Sequence, residues 1–154
     1  MKAVIQRVTS ASVSVEGVSV GRIGQGLAVL LGVVEGDTER EADFLADKIT
    51  QLRIFTDAQD KLNLSVQDTA GEMLVISQFT LAADCSHGRR PSFTRAAKPE
   101  TAVELYRYFV SRVDAILGKK TQTGEFGADM KVSLVNDGPV TIVLDTAEIM
   151  KSTN

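Results

Sequence analysis

The chain holds one histidine, His87, and one cysteine, Cys85, in 154 residues. One cysteine cannot close a disulfide within the chain, which fits a reducing cytoplasm. Neither a multi-histidine nor a multi-cysteine metal centre can be assembled from one residue of each kind. A Ser-His-Asp arrangement would have to recruit His87, which lies in a polar loop beside arginines. Cys85 follows Asp84 and has no arrangement of its own that would stabilise a thiolate. Tryptophan is absent, and no apolar run approaches the roughly 18–20 residues of a membrane span. The opening residues Met1-Lys2-Ala3-Val4-Ile5-Gln6-Arg7-Val8 alternate like a strand and lack the continuous apolar core of a signal peptide. Gly24-Gln25-Gly26 carries neither a dinucleotide-binding glycine frame nor a phosphate-loop lysine. Asp57, Asp60 and Asn63 begin like a cation loop, but the glycine and glutamate such a loop needs are missing, so they read as a turn.

What is present is an ordinary globular composition, with 44% hydrophobic and 24% charged residues, enough for one real core. The net charge of −3 argues against a protein that binds nucleic acid through its whole surface. Locally the balance reverses: residues 88–98 contain Arg89, Arg90, Arg95 and Lys98 with no acid, and Lys119-Lys120 form a second pair. Such a cluster is either a solvated loop or a patch that grips phosphates through a few salt-sensitive contacts.

Short β-rich runs at 2–10, 12–15, 18–23 and 27–34 are separated by glycines, with Glu16-Gly17 as a hairpin turn. Thr38 and Glu41 match a capping box, and Ala42, Leu45, Ala46, Ile49 and Leu52 then recur at helical spacing. Strands are expected at 53–56, 73–79, 121–125, 130–135 and 140–146. A second helix should begin at Pro99, where Thr101 and Glu104 repeat the capping pattern, and end at Gly118. Grouped strands with two principal helices imply an α+β fold, a single compact domain over 1–146 with a mainly antiparallel, barrel-like sheet and no repeated βαβ units. Residues 147–154 have no periodic pattern and read as a flexible tail.

Two segments carry chemistry. Ser77-Gln78-Phe79-Thr80-Leu81 ends an apolar strand with two hydroxyls, an amide and a ring. Alternation puts Ser77 and Phe79 on one face and Gln78 and Thr80 on the other, unless the chain bends there. Read alone, the segment is either a polar-capped strand end or an ester site. In Asn136-Asp137-Gly138-Pro139-Val140-Thr141, a residue free to take φ > 0 precedes one that has no N–H to donate. Read alone, that is a tight turn between two strands, and it leaves neighbouring carbonyls without ladder partners.

Both segments, in order within one chain, resemble the signatures of the D-aminoacyl-tRNA deacylase family, formerly called D-tyrosyl-tRNA deacylases. The resemblance runs from Met1 to about Asp145. It takes in the opening strand, Gly88-Arg89-Arg90-Pro91-Ser92-Phe93 and Phe126-Gly127-Ala128-Asp129-Met130. It implies a homodimer that hydrolyses the ester of D-aminoacyl-tRNA, and of glycine mischarged on tRNA, with no cofactor, metal or membrane partner. It also implies that the Gly138-Pro139 bond is cis and reaches into the partner subunit's pocket, where main-chain carbonyls would exclude the Cβ of an L-aminoacyl group. Ser77, Gln78, Phe79 and Thr80 would then line the site around the ester and the terminal adenosine. Arg7 and Met130 would buttress the Gly-Pro element, and Arg89, Arg90 and Arg95 are candidate tRNA phosphate contacts. No side-chain base is evident to activate Thr80, so water assisted by the ribose 2′-hydroxyl is the favoured nucleophile. Two other classes compete: a noncatalytic RNA- or protein-binding module using the basic loop, and a general small-ester hydrolase.

Overall fold

The structure, a computed structural model, describes residues 1–150. Its main sheet has six strands: β1 (Lys2–Val15), β2 (Val18–Ile23), β3 (Gly26–Gly32), β6 (Glu72–Ser77), β7 (Gln122–Thr123) and β8 (Met130–Asp145). A separate hairpin pairs β4 (Phe55–Thr56) with β5 (Leu62–Leu64) around the Asp57 turn. Two long helices, α1 (Glu39–Gln51) and α2 (Pro99–Leu117), and a short one, α3 (Thr146–Ile149), complete the fold.

β1 organises the sheet. One edge runs beside β8 along its whole length, and the other pairs with β3 and then β2, all antiparallel. The expected break near residue 11 does not occur, because both halves of β1 find partners. β3–β6 and β6–β7 are parallel. Those two pairings are where the helices enter: α1 lies between β3 and β6 in the chain, and α2 between β6 and β7. The absence of βαβ units expected from the sequence therefore holds for the β1, β2 and β8 side only, since parallel neighbours need a long crossover. β2 lies against β7, where a Cβ on Gly21 would sit 2.5 Å from the Thr123 carbonyl oxygen, so the sheet nearly closes into a barrel.

The apolar run in β3 is continuous because both faces of that strand are covered. Leu27, Val29 and Leu31, with Met73 and Val75 of β6, pack under the helices against Leu45, Ile49, Leu105 and Phe109. Ala28, Leu74 and Ile76 face the other way, into a smaller cluster with Val8, Val13 and Ile23 inside the curl of the sheet.

The helix signals are borne out unevenly. Thr38 and Glu41 form the reciprocal capping box, with the Thr38 N–H donating to Glu41 Oε2 at 2.7 Å. Burial on its own raises the Glu41 carboxyl, but the Thr38 hydroxyl and the backbone bonds together outweigh it and hold the group below its usual range. Gly118 ends α2 with φ at 67°. Thr101 does not cap α2. The helix begins at Pro99 with Lys98 as an N-cap that makes no side-chain bond, so Thr101 and Glu104 lie inside the first turns.

Gly138-Pro139 does not join two strands. β1 pairs Val8 with Asn136 and Gln6 with Thr141, so residues 137–140 bulge out of one long strand opposite Arg7 alone. At the end of β8, Asp145 caps α3 and accepts the Ala147 N–H at 3.0 Å. The Met1 ammonium bonds Asp37 Oδ1 and Thr146 Oγ1, each at 2.8 Å, which holds the start of α3 on the domain. The flexible tail expected from 147 thus begins within a helical turn, and its last four residues, 151–154, lie outside the described residues. No described helix is long and apolar enough to cross a membrane.

Candidate active site

At the end of β6 the chain does not continue as a strand. It turns into one 3-10 turn, Phe79–Ala82. The Gln78 N–H still donates to the Leu31 carbonyl at 2.8 Å, and the Leu81 N–H returns to the Gln78 carbonyl at 3.2 Å. This turn cancels the strict alternation of the strand. Ser77, Gln78 and Phe79 all line one cleft, where alternation alone would have divided them. The turn lies directly over Gly32 at the end of β3. A Cβ there would sit 2.9 Å from the Gln78 carbonyl oxygen and 3.0 Å from Leu81 Cβ, so any larger residue would push the turn outward.

The cleft has a volume of about 670 Å³. Its other walls are Phe93, Ala96 and Ala97 from the basic loop, Lys98, Pro99 and Ala102 from the start of α2, and the segment Phe126-Gly127-Ala128-Asp129-Met130. Phe126 is set by Tyr106, whose ring lies 6.0 Å away and whose hydroxyl donates to the Val75 carbonyl at 2.7 Å. Burial pushes the Tyr106 phenol up to about 12. Met130 can pack against this wall because residue 124 is glycine and Ile76 lies beside it.

Thr80 is exposed and its hydroxyl accepts a hydrogen bond from Gln78 Nε2. No carboxylate or imidazole is bonded to it among the described residues. His87 bonds Ser86 in the exposed loop, with Nδ1 and Oγ 2.8 Å apart. Cys85 is exposed in the same loop. No described cluster of His, Cys, Asp and Glu could hold a metal ion.

The Gly-Pro segment forms a second, separate constellation. The Gly138-Pro139 bond is cis and Gly138 has φ +122°. Both residues are exposed and neither lines the cleft. Behind them Arg7, only 8% exposed, donates from Nε to the Asp137 carbonyl at 3.1 Å and from Nη1 to the Ile54 carbonyl at 2.9 Å. A Cβ on Gly138 would come within 2.7 Å of Arg7 Nη2, so the backbone there is seated on the guanidinium. Of the two residues expected to buttress this element, Arg7 contacts it within the chain and Met130 lines the cleft.

The three arginines also separate. Arg89 and Arg90 are exposed in the loop. Arg95 faces Asp84 at 3.7 Å. Asp84 exchanges both backbone hydrogen bonds with Ser92, at 2.7 and 2.9 Å, and its side chain accepts the Ser86 N–H. The Ser86 contacts come first, with the Arg95 charge adding to them, in holding the Asp84 carboxyl below the usual range. Phe93 and Phe126 stand in the sequence only within the family segments, and Lys98 only within the basic cluster, none of them assigned to the ester site. Their signal was faint: isolated residues in loops, brought together by the start of α2 and by the turn into β8.

Comparison with known proteins shows the family. A family model described as D-Tyr-tRNA(Tyr) deacylase matches residues 4–145. A protein of Geotalea uraniireducens named D-aminoacyl-tRNA deacylase is 61% identical over 146 residues, covering 95% of this chain and 94% of that protein. One of the same name from Pelobacter propionicus is 61% identical over 145 residues, covering 94% and 99%. Among solved structures, one titled c-Myc DNA Unwinding Element Binding Protein superposes with a TM-score of 0.88 at 42% identity, covering 94% of this chain and 98% of that one. A second, titled as a probable eukaryotic D-amino acid tRNA deacylase, has a TM-score of 0.79 at 17% identity over 93% and 97% of the two chains, which speaks for the fold alone.

Proposed function

The chain belongs to the D-Tyr-tRNA(Tyr) deacylase family, and on that premise we propose that it hydrolyses the ester of D-aminoacyl-tRNA, releasing the D-amino acid and tRNA. The observation that carries the reading is the cleft beside the Ser77–Phe79 segment, which holds polar groups suited to an ester but, among the described residues, no activated side-chain nucleophile. An aminoacyl ester is already reactive, so holding it beside a water molecule and stabilising the oxyanion can supply most of the acceleration. The amides of Phe79 and Thr80 open the 3-10 turn, where no carbonyl of the turn precedes them to accept. They are the candidate oxyanion donors. Water attacks the carbonyl carbon, the bond to the ribose oxygen breaks, and the proton lost by water ends on that oxygen. The ribose 2′-hydroxyl assists, while Gln78 and Thr80 position the ester and Ser77 lines it.

The chirality of the reaction is assigned to residues 137–140. In a homodimer the Gly138-Pro139 backbone of one protomer would enter its partner's cleft. An L-aminoacyl Cβ would collide with its carbonyls, whereas a D side chain points away and glycine has no Cβ to collide. Two facts support this. The segment is exposed outside its own chain's cleft, and Arg7 and Asn136 hold it from behind. The setting would be the cytoplasm, where charged tRNA is found, and Arg89, Arg90 and Arg95 would be the contacts to its phosphates.

The exposed basic loop and the DNA-binding title of one structural neighbour favour a second reading, a nucleic-acid-binding module without catalysis. Catalytic amounts of protein incubated with D-tyrosyl-tRNA separate the two. Many equivalents of free D-tyrosine are expected per protein, and an ester left intact would rule out the enzyme. Light scattering that finds only monomer at assay concentration would remove the cross-subunit filter.

A further inference from the structure

Two aromatic rings stand at the mouth of the cleft, and only one of them has been given a part. Phe79 is 55% exposed and Phe93 38% exposed. Their centroids lie 5.3 Å apart with the planes at 70°, the edge-to-face arrangement in which one ring fixes the tilt of the other. Both rings offer an apolar face at the cleft to a ligand that enters it. Phe93 rides on the loop that carries Arg89 and Arg90, and Asp84 pins that loop through Ser92 and Arg95. A ligand that suits both features brings phosphates to the loop and an aromatic face to the ring.

We propose that Phe93 is a positioning residue for the purine at the 3′ end of the substrate: it holds Phe79 on edge, so that the free face of Phe79 stacks on the base. The assignment rests on the ester-hydrolase reading above. It also links the two halves of recognition. The loop that meets the phosphates carries the residue that sets the base platform, so the backbone of the acceptor end and its last base are gripped together. Phe93 acts through Phe79 and takes no part in breaking the bond, so its loss should weaken binding and leave turnover at saturation nearly unchanged.

The test uses the full chain and an acceptor-stem minihelix whose terminal adenine is replaced by 2-aminopurine and whose aminoacyl link is an amide. Stacking quenches the fluorescence of that base. Phe93→Ala and Phe93→Leu are expected to lose the quench and to bind about five-fold more weakly, the scale of a partly lost base stack. Phe93→Tyr, which keeps the ring, should stay within about two-fold of the parent. With the hydrolysable D-aminoacyl minihelix, KM should rise in the alanine and leucine variants while kcat holds, at unchanged melting temperature. Equal quench and affinity in Phe93→Ala, a leucine variant as good as the parent, or a loss confined to kcat would overturn the proposal. A parent protein that quenches but does not cleave would sink the hydrolase reading alone, because the binding signal does not depend on turnover.

Discussion

Asn136 takes the place of the strand partner that Val140 lacks. Its Oδ1 accepts the Val140 N–H at 3.0 Å, and its Nδ2 donates to the Val140 carbonyl at 3.2 Å. The amide therefore closes residues 137–140 into a loop that projects from β8 without leaving its ends unpaired. Asn136→Ala removes both bonds to Val140, each worth about 1 kcal/mol, together with one from Nδ2 to Thr141 Oγ1 at 3.3 Å. Turnover of D-aminoacyl-tRNA is expected to fall by about ten-fold or more, on the scale of those two bonds. Asn136→Asp still accepts the N–H but cannot donate, so it should fall between alanine and the parent. Steady-state kinetics on the three proteins check that order, and equal rates would show that the clamp is idle.

Gly32 is the floor under the Ser77 turn. Gly32→Ala would place a methyl group 2.9 Å from the Gln78 carbonyl oxygen, which the backbone on both sides resists. The expected outcome is a loss of activity larger than the loss of stability, since the contact falls on the cleft residues themselves. Overpacking of this kind costs about 1–3 kcal/mol. Thermal melting alongside the deacylation rate distinguishes this from general unfolding. Full activity in the variant would mean that the turn can shift freely.

Thr80 offers a hydroxyl but has no base beside it. Thr80→Ala is therefore expected to lose less than about ten-fold in kcat, far below the roughly million-fold loss seen when a true nucleophile is removed. Rapid quenching and mass spectrometry should find no acyl group on the parent protein. A trapped acyl-Thr80 species together with a variant at uncatalysed rates would reverse the assignment.

Tyr106 makes an alkaline prediction. Its folded value is pushed up to about 12, above the ordinary 10.0, with burial as the main cause. A raised folded value means that the folded state holds its proton more tightly than the unfolded one. The contribution is thus intact below pH ~10 and disappears as pH rises through about 12. The gap of about two units corresponds to about 3 kcal/mol at most. Urea unfolding between pH 9 and about 12 should show a steeper fall for the parent than for Tyr106→Phe. Parallel curves would mean that the phenol is not shielded.

The strand and helix pattern was legible where local chemistry decides. Thr38 with Glu41 located α1, and Gly118 located the end of α2, because capping and a left-handed terminus act within a few residues. Pro99 located the start of α2 as expected, while the Thr101 and Glu104 match to a capping pattern fell inside the helix. The parallel pairing of β3 with β6 was not legible, since it depends on where α1 lies and leaves no local mark. The same holds for the site. Ser77, Gln78 and Phe79 were visible as a segment, but their shared cleft needed the turn over Gly32. Met130 and Gly138 share the long β8, which carries one to the cleft and the other to the exposed bulge, a separation that local sequence does not mark. Phe93 and Phe126 were visible only within the family segments, because their meeting in one cleft depends on the start of α2 and the turn into β8.

Handedness is the most direct test. The ratio of kcat/KM for D-tyrosyl-tRNA over L-tyrosyl-tRNA, measured on one tRNA with one preparation, should exceed about a hundred-fold, or about 3 kcal/mol of discrimination. Glycyl-tRNA should be cleaved as well. Comparable rates for the two enantiomers, or cleavage of the L-ester alone, would contradict a filter that works by excluding the L side chain.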